Sequence, residues 1–129
     1  MISHLDHLVL TVRDIEKTVA FYTSVLGMKE VTSKRRRALA FGYQKINLHE
    51  AGREYDPKAD KPTPGSADLC FIAEIPLAAF CRHLEEPDIR IIEGPVARTG
   101  ARGGIISLYF RDPDENLLEV SNYLAPGET

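Results

Sequence analysis

Five residues of this chain carry side chains that bind metal ions or move protons, and they recur at comparable places in its two halves: His7, Asn47, His49, Asp68 and Glu119. His7 stands in the apolar run DHLVL at residues 6–10, and Glu119 in NLLEV at residues 116–120. A carboxylate is almost never fully buried unless it is paired or bound to a metal. Imidazoles and carboxylates converging on one concave face form a site for a divalent cation, with positions left open for substrate. Each residue also has an ordinary reading. A histidine at the start of a strand is commonly a surface group, a glutamate in a terminal strand an edge residue, and Asp68 a strand-entry residue. His4, near the N-terminal end, and His83, on a polar helix face, are read that way.

The elements that must position these groups follow from periodicity. Strand side chains alternate between faces. In DHLVLTV (6–12), Leu8, Leu10 and Val12 take one face, leaving His7, Val9 and Thr11 on the other. Asp14 is an N-cap for IEKTVAFYTSVLG, in which Ile15, Val19, Phe21-Tyr22 and Val25-Leu26 recur near the helical period and Gly27 sits at the C-cap. MKEVTS, RRALAFG and KINLHEA are three short strands; in the last, Ile46 and Leu48 pack and Asn47 and His49 face the other way. Residues 51–65, rich in proline and glycine, form a joining loop.

The pattern then restarts. ADLCFIAEI is a strand in which Leu69, Phe71 and Ala73 pack and Asp68, Cys70 and Ile72 face the cavity, and PLAAFCRHLEE is a helix with Pro76 at its start. IRIIEGPV, GIISLYFRD and NLLEVSNY are strands, the last two joined by the DPDEN turn. In NLLEVSNY, Leu118 and Val120 pack and Glu119 points away. ARTGARGG (97–104) reads as a flexible basic connection. The expected fold class is therefore α+β: two βαβββ modules forming a curved mixed sheet with a concave metal-binding cleft, in one domain over 1–129. Module one covers about 4–52, the joining loop 53–66 and module two 67–124.

Composition narrows the partners. The chain has 129 residues, 43% hydrophobic and 27% charged, with net charge −3, which suits a globular core and argues against nucleic acid. The single basic run, Lys34-Arg35-Arg36-Arg37, reads as a solvated hairpin edge, with an anion grip as the alternative. Cys70 and Cys81 form no C-x-x-C pair and read as small buried hydrophobes in a reducing compartment. With no apolar stretch of membrane-spanning length and no basic-then-apolar leader, a cytoplasmic location and no membrane partner are expected.

With these residues in view, DHLVLTVRDIEKTVAFYTSVLGMK resembles the opening of the vicinal oxygen chelate superfamily, which includes glyoxalase I, fosfomycin- and bleomycin-resistance proteins, methylmalonyl-CoA epimerase and extradiol dioxygenases. YFRDPDENLLEVSNY resembles its closing signature. Within the superfamily the whole sequence is most similar to the glyoxalase domain-containing protein 5 and virulence-protein subgroup. The resemblance implies a homodimer acting on a small molecule, with metal ligands at His7 and Glu119. Asp68 falls where the second module usually supplies His or Gln. In glyoxalase I the fourth strand gives a Glu ligand; here the choices are Asn47 and His49, and His49 is taken with His7, Asp68 and Glu119 as the metal set. Counted as two histidines and a carboxylate, His7, His49 and Glu119 match non-haem Fe(II) oxygenases, but adding Asp68 favours Ni, Zn or Mn over Fe. Catalytic roles fall to Glu119 and His49, and substrate contacts to Asn47, Arg98 and Tyr109, with Arg102 beside them. The implied function is a metal-dependent glyoxalase-like lyase or isomerase that chelates vicinal oxygens of a small dicarbonyl or its thiol adduct. The alternatives are an extradiol-type dioxygenase and a non-catalytic drug- or metabolite-binding resistance protein.

Overall fold

The computed structural model describes residues 1–127. The elements follow the order β1 (His7–Val12), α1 (Ile15–Ser24), β2 (Lys29–Ser33), β3 (Arg36–Phe41), β4 (Gln44–Glu50), β5 (Asp68–Ile72), α2 (Leu77–His83), β6 (Glu93–Gly100), β7 (Gly103–Arg111) and β8 (Leu117–Tyr123). The expected α+β class and the repeated βαβββ unit are both present. Each unit closes its own four-stranded mixed sheet, ordered β1-β4-β3-β2 in the first and β5-β8-β7-β6 in the second. The backbone divides between Ala67 and Asp68, and the turn Pro113–Glu115 groups with the first unit.

In module one, β1 lies parallel to β4 and the remaining pairs are antiparallel. Asp14 caps α1 by accepting the Lys17 N–H at 3.0 Å, the role its short side chain performs at an N-cap. The helix ends where Gly27 takes φ +70° and the Met28 N–H reaches back to the Tyr22 carbonyl at 3.1 Å. This is the left-handed closure for which glycine is preferred. The packed face holds Leu10, Val12, Val19, Tyr22, Leu39, Ile46 and Leu48, all buried. The turn residue Asp114 accepts from the Arg13 N–H at 3.1 Å and from Arg13 Nη1 at 3.3 Å.

The basic run resolves into separate jobs. Lys34 and Arg35 both have positive φ, 51° and 65°, and form the two-residue turn between β2 and β3, whose handedness matches the strand twist. Arg36 stacks over the Tyr55 ring at 4.2 Å. Arg37 pairs with Glu30 at 2.5 Å and with Glu16. Two of the four cations are thus already engaged within module one.

In module two, β5 is parallel to β8, and the β6–β7 hairpin is antiparallel with a register shift between Glu93 and Val96. Leu77, Phe80, Leu84, Leu108, Phe110, Leu118 and Val120 make its core. Pro76 offers no capping side chain to α2. Instead Asn122 of β8 accepts the Leu77 N–H at 2.6 Å and donates to the Ile75 carbonyl at 3.0 Å. Here the structure departs from the sequence reading. Residues 89–92 are not strand, and ARTGARGG is not a free connection, because β6 runs through Gly100 and pairs with β7 from Gly103. Glycines and arginines weaken a strand signal read locally, but cross-strand bonding to β7 imposes the extended form.

Candidate functional site

Strand register decides which side chains are neighbours. In module one the pairs are His7 with Lys45, Val9 with Asn47, and Thr11 with His49. Ile46 and Leu48 are buried and Asn47 and His49 partly exposed, so the alternation places both on the unpacked face, as expected. His49 nevertheless lies four residues beyond the partner of His7. At about 3.3 Å per residue the two are roughly 13 Å apart along the sheet, and side chains stand nearly perpendicular to it. They do not share one ion within this sheet. The His49 ring instead meets the Tyr55 ring edge-on, centroids 5.4 Å apart.

In module two, Cys70 pairs with Glu119, and Tyr109 pairs with Glu119 from the other side. Matching the two modules strand for strand, the third residue of each first strand (Val9, Cys70) pairs with Asn47 and Glu119 respectively. Asn47 is therefore the counterpart of Glu119, and His49 the counterpart of Ser121. His7 and Asp68 each open the first strand of their module; both are exposed.

A cavity of about 450 Å³ lies wholly within module two, and Cys70, Arg98, Tyr109, Glu119 and Tyr123 are among its walls. The Glu119 carboxylate is held by neutral donors. Ser107 Oγ donates to Oε2 at 2.5 Å, and Ser121 Oγ stands 3.5 Å from the same oxygen. The two serine hydroxyls are 2.6 Å apart and fully buried. The Tyr109 hydroxyl accepts from Arg98 Nε at 3.1 Å, and Tyr109 stands opposite Glu119 in the β7–β8 register. Among the described residues no lysine or arginine forms an ion pair with Glu119. Burial, reinforced by the Glu119 charge and opposed by Arg98, pushes the Tyr109 phenol above its ordinary range. Burial likewise raises the Cys70 thiol, against the Ser121 hydrogen bond, so neither group is tuned as a nucleophile.

Cys70 corrects an expectation: it is exposed on the cavity wall, not a buried hydrophobe, and Cys81 is half-buried. The two serines were missed from the sequence. Their only signal was alternation, since Ser107 shares a face with Tyr109 and Ser121 with Glu119. Arg98 also bonds Glu93 at 3.1 Å, while Arg102 lies over the Tyr123 ring at 4.6 Å.

Among the described residues, neither module by itself gathers three His, Cys, Asp or Glu side chains at a point that would hold a metal. The individual donors do fit a divalent cation. The His7 Nδ1 lies 2.8 Å from Asp6 Oδ2, the carboxylate–imidazole pairing that orients a ligating histidine and presents its Nε2. Glu119 is a carboxylate supported by hydroxyls, the usual outer support of an oxygen ligand.

Comparison with known proteins agrees with this fold. The model of the Glyoxalase/Bleomycin resistance protein/Dioxygenase superfamily matches residues 4–120, and the chain belongs to that superfamily. It is 55% identical over 125 residues to virulence protein STM3117 of Salmonella typhimurium, covering 96% of this chain and 87% of that one. The crystal structure of STM3117 superposes with a TM-score of 0.94 over 96% of this chain and 99% of that one. Glyoxalase domain-containing protein RDO1 of Mycosarcoma maydis is 55% identical over 120 residues, 92% of this chain and 68% of its own. The lactoylglutathione lyase of Agrobacterium tumefaciens, 23% identical with a TM-score of 0.70 and 93% of each chain covered, shares the fold. No helix among the described residues is long and apolar enough to cross a membrane.

Proposed function

We propose that this chain is a metal-dependent lyase or isomerase of the glyoxalase type, acting on a small dicarbonyl compound or its thiol adduct as a homodimer. The observation that carries the reading is Glu119: a carboxylate on a cavity wall, held by Ser107 and, among the described residues, without an ion pair to lysine or arginine. His7, Asp68 and Glu119 are the proposed ligands of a Ni²⁺, Zn²⁺ or Mn²⁺ ion. His49, roughly 13 Å along the sheet from His7, is assigned in this reading, with Asn47, to substrate contact or proton transfer. When bound, the ion supplies Lewis-acid polarisation of two adjacent substrate oxygens.

The chain's own groups do the rest. Glu119 is the base that takes a proton from the substrate carbon. Ser107 holds one of its oxygens, so the carboxylate meets the substrate in a fixed orientation. Membership in the superfamily supports this assignment, though fold alone does not choose among its activities.

The test is elemental analysis of the purified full chain beside His7→Ala and Glu119→Gln, with hemithioacetal turnover measured in parallel. The expected result is about one equivalent of metal per chain, lost in both variants together with turnover. Metal kept by both variants, or no turnover by metal-loaded wild type, overturns the proposal.

A further inference from the structure

The basic run divides between the two faces of the first sheet. Arg37 turns to α1 and pairs with Glu16 and Glu30. Arg36, one residue earlier, takes the opposite face. Its guanidinium carbon stands 4.2 Å from the centroid of the Tyr55 ring. Among the described residues it forms no hydrogen bond or ion pair. Contact with a ring occupies one face of a guanidinium and leaves the donors along its edge free. Those donors match a carboxylate in a two-pronged contact.

A second donor gathers at the same spot. Ala38 pairs with Asn47 across β3 and β4, so Arg36, two residues earlier on the same face, stands opposite His49. The His49 ring meets the same Tyr55 ring edge-on, centroids 5.4 Å apart. Its nitrogens have no hydrogen-bond partner among the described residues. Tyr55 thus braces a cation and an imidazole side by side. Thr11, opposite His49 on β1, and Ala38 are small and buried, so the taller side chains stand over a low floor. Val9, on the same face of β1, is 45% exposed and adds an apolar surface beside the polar pair. Glu54 interacts electrostatically with His49, but its charge is matched elsewhere. It accepts the Gly52 N–H at 2.7 Å and pairs with Lys58 at 3.8 Å.

We propose that module one carries a carboxylate-binding site formed by Arg36 and His49 and braced by Tyr55. The Arg36 fork takes the carboxylate oxygens, a His49 ring N–H donates to one of them, and the ligand's apolar body lies over Val9. The ligand class is a small monocarboxylate with an apolar body. One permanent cation beside one neutral donor balances a single negative charge, not the double charge of a phosphate. A cation already held in place by a ring loses little freedom on binding. The site goes beyond the metal reading and does not rest on it, since Glu119 and its serine supports belong to module two.

The experiment titrates the full chain, labelled with ¹⁵N-histidine, with hexanoate, its neutral amide hexanamide, and inorganic phosphate. The His49 ring signal is identified by its loss in His49→Gln. Hexanoate should displace that signal saturably, hexanamide should leave it unmoved, and phosphate should bind more weakly than hexanoate. Arg36→Gln should weaken hexanoate binding about tenfold, the loss expected for a charge-assisted hydrogen bond, and Tyr55→Leu should weaken it less. Arg36→Lys, which keeps the charge but loses the fork, should also bind more weakly, and it replaces Arg36→Gln if that variant is unstable. Glu119→Gln should bind hexanoate as wild type does, whether or not it has lost a metal.

If hexanoate leaves the His49 signal unmoved, or binds both Arg36 variants as tightly as wild type, the site is overturned. Binding lost in Glu119→Gln and kept in Arg36→Gln puts the anion on a metal and overturns it too. Phosphate binding more tightly than hexanoate overturns the carboxylate assignment. A chain that holds no metal but binds hexanoate through Arg36 refutes the metal reading and leaves this site standing.

Discussion

Ser107 shows how a residue with little chemistry of its own governs one that has much. Its hydroxyl is fully buried and bonds both Glu119 and Ser121. Without it, the carboxylate loses its shortest support and the Ser121 hydroxyl a buried partner. Outer partners of metal ligands commonly contribute ten- to a hundredfold in affinity. Ser107→Ala is therefore expected to weaken metal binding by about tenfold while leaving it measurable by equilibrium dialysis. Unchanged affinity would separate Ser107 from the proposed ligand role of Glu119. At the same scale, Asp6 bonds His7 and Arg98 bonds Tyr109, each holding a residue of the proposed site.

At the scale of elements, the β6–β7 hairpin carries Arg98, Ser107 and Tyr109 and depends on Gly94. That residue has φ +114°, and a Cβ there would meet the Ser107 carbonyl oxygen at 2.5 Å and the Leu108 Cα at 2.7 Å. Both obstacles are backbone of the partner strand, which cannot move aside cheaply. Gly94→Ala is expected to destabilise the protein by about 2 kcal/mol or more, the sum of a strained dihedral and a forced strand shift. Gly103→Ala, at φ +139° with nothing within 4 Å, should cost only the dihedral part. Equilibrium urea unfolding of the two variants measures the difference, and equal losses would refute the close-approach account. The same hairpin is where local reading of the sequence failed, because a strand built from Gly, Pro, Arg and Thr declares itself only through its partner. The helix starts and the tight turns were legible, since caps and turns are short-range chemistry contained in a few neighbouring residues.

For the molecule as a whole, one contribution to stability in acid comes from an ion-pair cluster outside the cavity. Arg37 joins Glu30 of β2 to Glu16 of α1. Its hydrogen bond, and then its charge, hold the Glu16 carboxyl below the ordinary value of 4.5. A depressed folded-state value means the contribution is complete above the unfolded value near 4.5 and disappears as pH falls through the folded one. Urea midpoints should therefore drop below that pH in wild type, and drop less steeply in Arg37→Gln. Identical pH profiles would show that the pair adds nothing. The effect is modest because Glu16 is exposed to solvent.

Residue types and their alternation were sufficient to establish the repeated βαβββ unit and the packed and unpacked faces of β1, β4, β5 and β8, while the superfamily was legible through the resemblance of the opening and closing motifs. Each of these depends on interactions within a strand, a helix or a turn. What only the tertiary structure decided is which unpacked side chains are neighbours. The order β1-β4 and β5-β8 joins strands dozens of residues apart, and its register separates His49 from His7, matches Asn47 to Glu119, and brings Cys70, Ser107 and Tyr109 around that carboxylate. Alternation assigns a residue to a face but leaves its position along the neighbouring strand open, and that position is set by long-range pairing alone.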